Sequence, residues 1–314
     1  MVATAGARGK AGHQADEVTP GHRVASQAMS QLEALDAELA RVPGVVSIWY
    51  GPPGGPPAYR RAADATHYAA STMKLAVLAA LYRAAEAGRL GLEAEITVRN
   101  DFASAAADAP RYACRPDYDN DAAVWARLGG EATLGWLARR MIVRSSNLAT
   151  NLVLAEVGLP AAAGVWRDVG GRHSVVGRGI EDTAAADAGI TNLVTAVDLA
   201  ALLGALAVGA VGSGTPGPLA SPGSCRAMLD TLLAQERAED LAAGLPPGTR
   251  IAHKNGWVTG VRHGAGIVFP DDASPFVLVV CTTTPLAVNE QDDEACHLVA
   301  RVAAAAWRDR SHRP

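Results

Sequence analysis

Apolar residues recur at helical spacing near the start of the chain. Leu32, Leu35, Leu39 and Val42 predict a helix between Val24 and Arg41, stopped by Pro43-Gly44. Val45 to Tyr50 is a β-branched and aromatic run that reads as a strand, and Gly51 to Pro57 closes it with a turn. A second strand is expected near Ala58 to Ala63. Leu75, Leu78, Leu81 and Tyr82 then share one face of a helix over Ser71 to Gly88, with Gly88 as its stop. Asn100 to Asp121, rich in Ala, Asp and Pro, reads as an ordered loop. Helical patterns return at Ala122–Leu128, Leu134–Val143, Asn147–Val157 and Ala196–Leu206. The glycine, arginine and aspartate scattered through Gly158 to Asn192 predict a long functional loop. A Gly/Pro-rich break at Gly209–Gly223 precedes a helix near Cys225–Glu239. Three strand-like runs follow, Arg250–Val258, His263–Phe269 and Phe276–Thr283, and a last helix near Asp293–Ala306.

Strands therefore occur at both ends of the chain with helices between them. The simplest packing is an α/β (α+β) fold in which both ends build one sheet around an inserted all-α lobe. The expected division is a disordered tail over 1–23, an α/β lobe from 24–62 and 219–314, and an all-α lobe over 63–218. A cleft between the lobes is the expected place for a site.

Composition narrows the function. The 314 residues are 49% apolar and 19% charged, which excludes a wholly disordered, collagen-like or coiled-coil chain. Net charge is −4, so no global cationic footprint suits nucleic acid or an anionic membrane, and neither is expected as a partner. The longest apolar run, Leu199 to Val211, is too short to span a bilayer. Cys114, Cys225, Cys281 and Cys296 form no C-x-x-C pair and are expected to be reduced and mostly buried. Met1 to Val24 has no apolar stretch of the secretory kind. The expected location is the cytoplasm, or outside the cell if the true start lies upstream.

Several common signatures are missing: G-x-S-x-G, H-E-x-x-H, G-x-x-x-x-G-K-[ST] and a G-x-G-x-x-G opening a helix after a strand. Ser71-Thr72-Met73-Lys74 stands at a helix start. Residues three apart share a helix face, so the Ser71 hydroxyl and the Lys74 amine can come within hydrogen-bond reach. A serine is a poor nucleophile until a base takes its proton, and a lysine whose pKa is lowered by burial can be that base. Ser145-Ser146-Asn147 sits at a loop-to-helix junction. Lys254-Asn255-Gly256-Trp257 interrupts a strand with a lysine and a glycine, both unfavourable for packing there. Taken singly, the first two are ordinary helix caps and the third is an edge-strand surface lysine.

Together and in this order, the three elements resemble the motif set of serine β-lactamases and penicillin-binding proteins, in the class A-like branch, over roughly residues 24 to 308. The resemblance implies an antiparallel sheet flanked by terminal helices, a serine hydrolase and no metal or other cofactor. By motif, it implies that Ser71 is the acyl-accepting nucleophile and Lys74 its proton acceptor, with Ser145 relaying a proton to the leaving nitrogen. Asn147 would bind the substrate amide. Lys254 would anchor a substrate carboxylate and help keep Lys74 deprotonated. The N–H groups of Ser71 and Trp257 would form an oxyanion hole. Two positions depart from the pattern: Ser146 replaces the usual acid, and Asn255 the usual hydroxyl residue.

The family's Glu-Pro-x-x-Asn string, which supplies the base for deacylation, is absent. Glu181, in Arg178-Gly179-Ile180-Glu181-Asp182, is the nominated base, with Asp182 and Asp187 as alternatives. A structural ion pair between Glu181 and Arg178 is the competing reading. His67 is a candidate for the cleft wall. His253 and His263 are expected to pack or hydrogen-bond rather than hold zinc. Trp49, Trp125, Trp136 and Trp166 are expected in the core. The expected partner is a small-molecule substrate, a β-lactam or related small amide with an anionic group. The alternatives are a D-Ala-D-Ala-type peptidase, an esterase or acyl-transfer enzyme with slow deacylation, or a non-catalytic binding protein of the same fold.

Overall fold

The computed structural model describes residues 29–212 and 219–311. The expected tail over 1–23, residues 24–28 of the first helix and part of the Gly209–Gly223 break lie outside the described residues.

Five strands form the main sheet: β1 (Val45–Gly51), β2 (Tyr59–Arg61), β3 (Arg250–Val258), β4 (Val261–Phe269) and β5 (Phe276–Thr283). Their order is β2-β1-β5-β4-β3, and every pairing is antiparallel. The tight turn at 259–260 joins β3 to β4 and sets Gly256 opposite His263 and Lys254 opposite Ala265. Seven of the eight residues of β5 are buried, because the sheet is covered on both faces. On one face Ile48, Tyr50, Leu278 and Val280 pack against Leu298, Val299 and Val302 of the C-terminal helix and against Leu32. Asp309 of that helix accepts from the backbone N–H groups of Gln31 and Leu32 at 2.8 and 3.0 Å, tying the two ends together.

On the other face Trp49, Ile267, Val277 and Val279 join a core that continues through the helices. At its centre is α1 (Lys74–Glu86), with nine of its thirteen residues buried. Around it lie α2 (Leu134–Val143), α3 (Asn147–Val157), α4 (Leu159–Asp168), α5 (Ala196–Val211) and α6 (Pro222–Leu233), and α7 (Glu294–Asp309) closes the chain. Among the described residues no single helix is long and apolar enough to cross a membrane.

Most predicted elements are present, with four corrections. The N-terminal helix is two single turns, Gln31–Ala34 and Asp36–Leu39. Gly158–Asn192 is not one loop: it contains α4, a short helix Thr183–Asp187 and a strand pair of Val175–Val176 with Asn192–Val194. Alanine and Gly164 diluted the apolar period of α4, whose Val165 and Trp166 are nevertheless buried. Helix α5 runs on through Gly209 to Val211 rather than ending at Leu206. A β-carbon at 204 would stand 2.9 Å from the nitrogen of Gly54, and one at 209 would stand 2.6 Å from the sulfur of Cys225. The glycines there serve close packing, not a break. Finally, the helix expected over Cys225–Glu239 stops at Leu233, which frees Gln235–Asp240 to reach the site.

Trp49 and Trp166 are buried as expected, while Trp125 and Trp136 are half-buried at the core's margin. Arg127 and Arg140 lie over the Trp136 ring. All four cysteines are buried free thiols.

Candidate active site

Ser71 stands in a single 3-10 turn, Ala70–Met73, that leads directly into α1. Ala70 is forced to a φ of 44°, a left-handed conformation that costs an L-residue about 1–2 kcal/mol. Strand β3 packs directly against this turn. A β-carbon on Gly256 would lie 2.6 Å from the Ser71 nitrogen and 3.1 Å from that of Thr72. The edge of the sheet is thus packed onto the backbone of the Ser71 turn.

Lys74 is fully buried. Its Nζ donates to the Ser145 carbonyl at 2.8 Å, the Ser145 Oγ at 3.2 Å and the Asn147 Oδ1 at 2.9 Å. Ser145 Oγ in turn donates to Ser71 Oγ at 3.1 Å. The link between Ser71 and Lys74 therefore runs through Ser145, not directly along the helix face as the spacing suggested. Burial pulls the Lys74 amine down to about 7, against the opposing pull of Asp119 and Cys114. A lysine half-neutral near physiological pH can take a proton.

Ser145 holds a φ of 60°, a second strained residue at the site. Ser146 caps α3 by accepting from the Ala149 N–H at 3.1 Å. Asn147 is held at both ends, since its Nδ2 also donates to the Tyr118 carbonyl at 2.9 Å.

Lys254 is also fully buried, and its Nζ donates to the Asn255 carbonyl at 2.7 Å and Oδ1 at 3.3 Å. Burial first, and then the nearby Lys74 ammonium, hold its amine well below the ordinary lysine range. The lysine is buried and does not line the cleft, so it is not the edge-strand surface lysine that its tetrad alone would suggest. Asn255 turns into a buried network: its Nδ2 donates to Asp240 at 3.2 Å, and Asp240 accepts from Arg262 Nε at 2.6 Å. Arg262 also pairs with Asp293 at 3.3 Å and lies 5.0 Å from the centre of the Trp257 ring.

A cleft of about 390 Å³ opens over these groups. Ser71, Ser145, Asn147 and Trp257 line it, together with Tyr68, Tyr118, Ile180 and Glu181. Glu181 stands at a φ of 66°. Its Oε2 accepts from the Arg115 N–H at 3.1 Å and faces the Arg115 guanidinium at 3.6 Å, while its buried Oε1 has no hydrogen-bond partner. Burial raises its carboxyl above the usual range, against Arg115. The pair with Arg178, the competing reading, is not formed. Arg178 instead donates to the Tyr68 hydroxyl at 3.1 Å and to the Gly179 carbonyl at 3.2 Å.

The alternatives to Glu181 separate clearly. Asp182 is fully buried, caps Thr183–Asp187 and accepts from Ser104 and the Ala105 N–H, both at 2.7 Å. Asp187 closes that helix and is absent from the cleft lining.

The histidines do not line the cleft. His67 is buried between Ser47 Oγ and Thr283 Oγ1, each 2.8 Å away, and its ring meets that of His263 edge-on at 5.6 Å. His263 accepts from the Thr282 N–H through Nδ1 at 3.1 Å, so its Nε2 donates to the Tyr68 carbonyl at 2.8 Å. His253 is buried on β3.

Sequence reasoning missed Asn151, Asp119 and Tyr118. Asn151 accepts from the Ile180 N–H and donates to the Ile180 carbonyl, both at 2.8 Å, holding the stretch that carries Glu181. Its signal was only a polar residue one turn after Asn147. Asp119 and Tyr118 sit in a stretch of alternating acids, Asp117, Asp119 and Asp121, which reads as a solvated loop.

Solved structures repeat this architecture. A β-lactamase from Sphaerobacter thermophilus is 28% identical, with a TM-score of 0.72 over 90% of this chain and 98% of that one. A point mutant of PBP-A, solved as an acyl-enzyme complex with penicillin G, is 23% identical, with a TM-score of 0.71 over 90% and 97%. An ancestral class A β-lactamase is 22% identical, with a TM-score of 0.69 over 88% and 99%. No curated protein sequence matches the chain. Residues 28–309 match the beta-lactamase enzyme family. With that match spanning nearly the whole chain, and with the fold of class A β-lactamases around it, the protein belongs to the beta-lactamase enzyme family.

Proposed function

We propose that the protein is a serine hydrolase that acts through an acyl-enzyme on Ser71, with a β-lactam or related small amide as substrate. The observation that carries this reading is the unbroken hydrogen-bonded chain from Lys74 through Ser145 to Ser71 on the floor of the cleft. The neutral Lys74 amine draws the Ser71 proton through the Ser145 hydroxyl as Ser71 Oγ attacks the substrate carbonyl. The backbone N–H groups of Ser71 and Trp257 receive the oxyanion; one such donor is typically worth about 10²–10³ in rate. When the carbon–nitrogen bond breaks, the proton returns through Ser145 to the leaving nitrogen. Lys254 is the proposed anchor for the substrate's anionic group, whose negative charge favours a proton on this buried amine. Water then cleaves the ester, with Glu181 as its base.

A slow second half-reaction is the alternative, as in an esterase, acyl-transfer enzyme or D-Ala-D-Ala-type peptidase. It is supported by Ile180, an apolar side chain at the cleft beside Glu181, and by the hold of Arg115 on the Glu181 carboxylate. That a PBP-A mutant was captured as an acyl-enzyme with penicillin G supports β-lactams as first probes.

Intact-mass spectrometry after exposure to benzylpenicillin or a fluorophosphonate tests the proposal. One adduct is expected on Ser71 and none on Ser71→Ala. No adduct with either reagent would leave a binding protein of the same fold.

A further inference from the structure

The second motif lacks a carboxylate of its own, yet one is delivered to it from a distant loop. Asp119 Oδ2 accepts from the Leu148 N–H at 2.7 Å and from the Ser146 hydroxyl at 3.1 Å. It thereby satisfies a free donor at the start of α3, where negative charge is favoured. Its other oxygen accepts from the Asp121 N–H at 3.0 Å, which fixes the loop, and Asp121 is itself paired with Arg140 of α2. One residue earlier, the Tyr118 carbonyl receives Asn147 Nδ2. The loop thus grips Ser146, Asn147 and Leu148 in turn, immediately after the strained Ser145 that bridges Lys74 to Ser71.

We propose that Asp119 is a positioning residue for acylation: it holds the Ser145–Ser146–Asn147 turn in register with Lys74 and supplies the carboxylate charge that the turn itself lacks. This rests on the acyl-enzyme reading above. The charged and titratable groups facing the Lys74 amine are Asp119 and Cys114 from the 100–121 segment and Lys254 from β3. Asp119 is the leading anionic influence among them, opposing the burial that favours a neutral amine. Its two effects are separable. Loss of the grip lowers the acylation rate at every pH. Loss of the charge makes Lys74 easier to deprotonate and moves the acidic limb of the rate profile to lower pH.

The test is the pH dependence of Ser71 acylation by benzylpenicillin, read by intact mass, with folding checked by circular dichroism. Asp119→Asn is expected to reduce the plateau rate about tenfold or more. It should also move the limb down by about half a pH unit or more. In the double variant Asp119→Asn with Ser146→Asp, a carboxylate returned one residue from Ser145 should bring the limb back. An unchanged profile would overturn the proposal, as would a lowered plateau with an unmoved limb. Should Asp119→Asn not fold, Ser146→Asp alone is expected to move the limb to higher pH, and an unmoved limb there overturns the proposal equally. Absence of any adduct on the wild type would instead refute the acyl-enzyme reading.

Discussion

Gly256 and Ser71 touch through their backbones: a β-carbon at 256 would stand 2.6 Å from the Ser71 amide nitrogen. That distance is too short for any side chain, and the nearest atoms it would meet are backbone, which cannot rotate away. Strand β3 and the turn before α1 are thereby held in a fixed relation, with the Ser71 and Trp257 amides at the same cleft.

Gly256→Ala is therefore expected to push the strand from the nucleophile. Overpacking of this kind costs about 1–3 kcal/mol, visible as a lower melting temperature. Acylation of Ser71 by a fluorophosphonate should fall by about 10²-fold or more, because a displaced donor no longer meets the oxyanion. A variant that labels at the wild-type rate would show that the contact is dispensable.

Glu181 lines the cleft and is the proposed base for the water step. Glu181→Gln should acylate normally and release product about 10²-fold more slowly, so that the adduct accumulates under turnover with nitrocefin. Turnover equal to wild type would remove Glu181 from the mechanism. Asn151→Ala, which frees the Ile180 backbone, should slow release as well while leaving the adduct able to form.

Three buried histidines make the fold sensitive to acid. Burial lowers His67 to about 3, His253 to about 3 and His263 to about 4; the first lies in the chain just before Ser71 and the last is bonded to it at the Tyr68 carbonyl. In the unfolded chain each takes a proton near pH 6.5. The native state resists it, so stability is full above about pH 6.5 and is lost as pH falls toward 4. Each group contributes a slope of about 1.4 kcal/mol per pH unit in that window. Denaturant titrations from pH 7 to pH 4.5 should show the decline, and His67→Gln should make it shallower by about one group. A flat profile over this range would contradict the neutral, buried state of these rings.

Much of the fold was legible because local patterns and burial agreed. The predicted limits of β3 and β5 match the structure to the residue, since each is bounded by turn residues and is rich in apolar side chains. Helix α4 was missed where alanine and glycine carry helix packing without a strong apolar period. A Glu181–Arg178 pair, three residues apart in sequence, was the competing reading for this loop. The structure gives Arg178 to Tyr68 of the strand at 67–68 and Glu181 to Arg115 of the 100–121 segment, partners far apart in sequence and brought near only by tertiary packing.

The chain by itself determined which groups are candidates for chemistry: a serine and lysine three apart, a Ser-x-Asn at a helix start and a Lys-x-Gly in a strand, because these are fixed by local spacing. Tertiary structure alone decided how they are arranged. Burying Lys74 lowers its proton affinity, Ser145 joins it to Ser71, and Asp119 reaches the second motif from another loop. Electric fields and hydrogen bonds depend on distance in space and on exclusion of water, and neither is written in the order of residues.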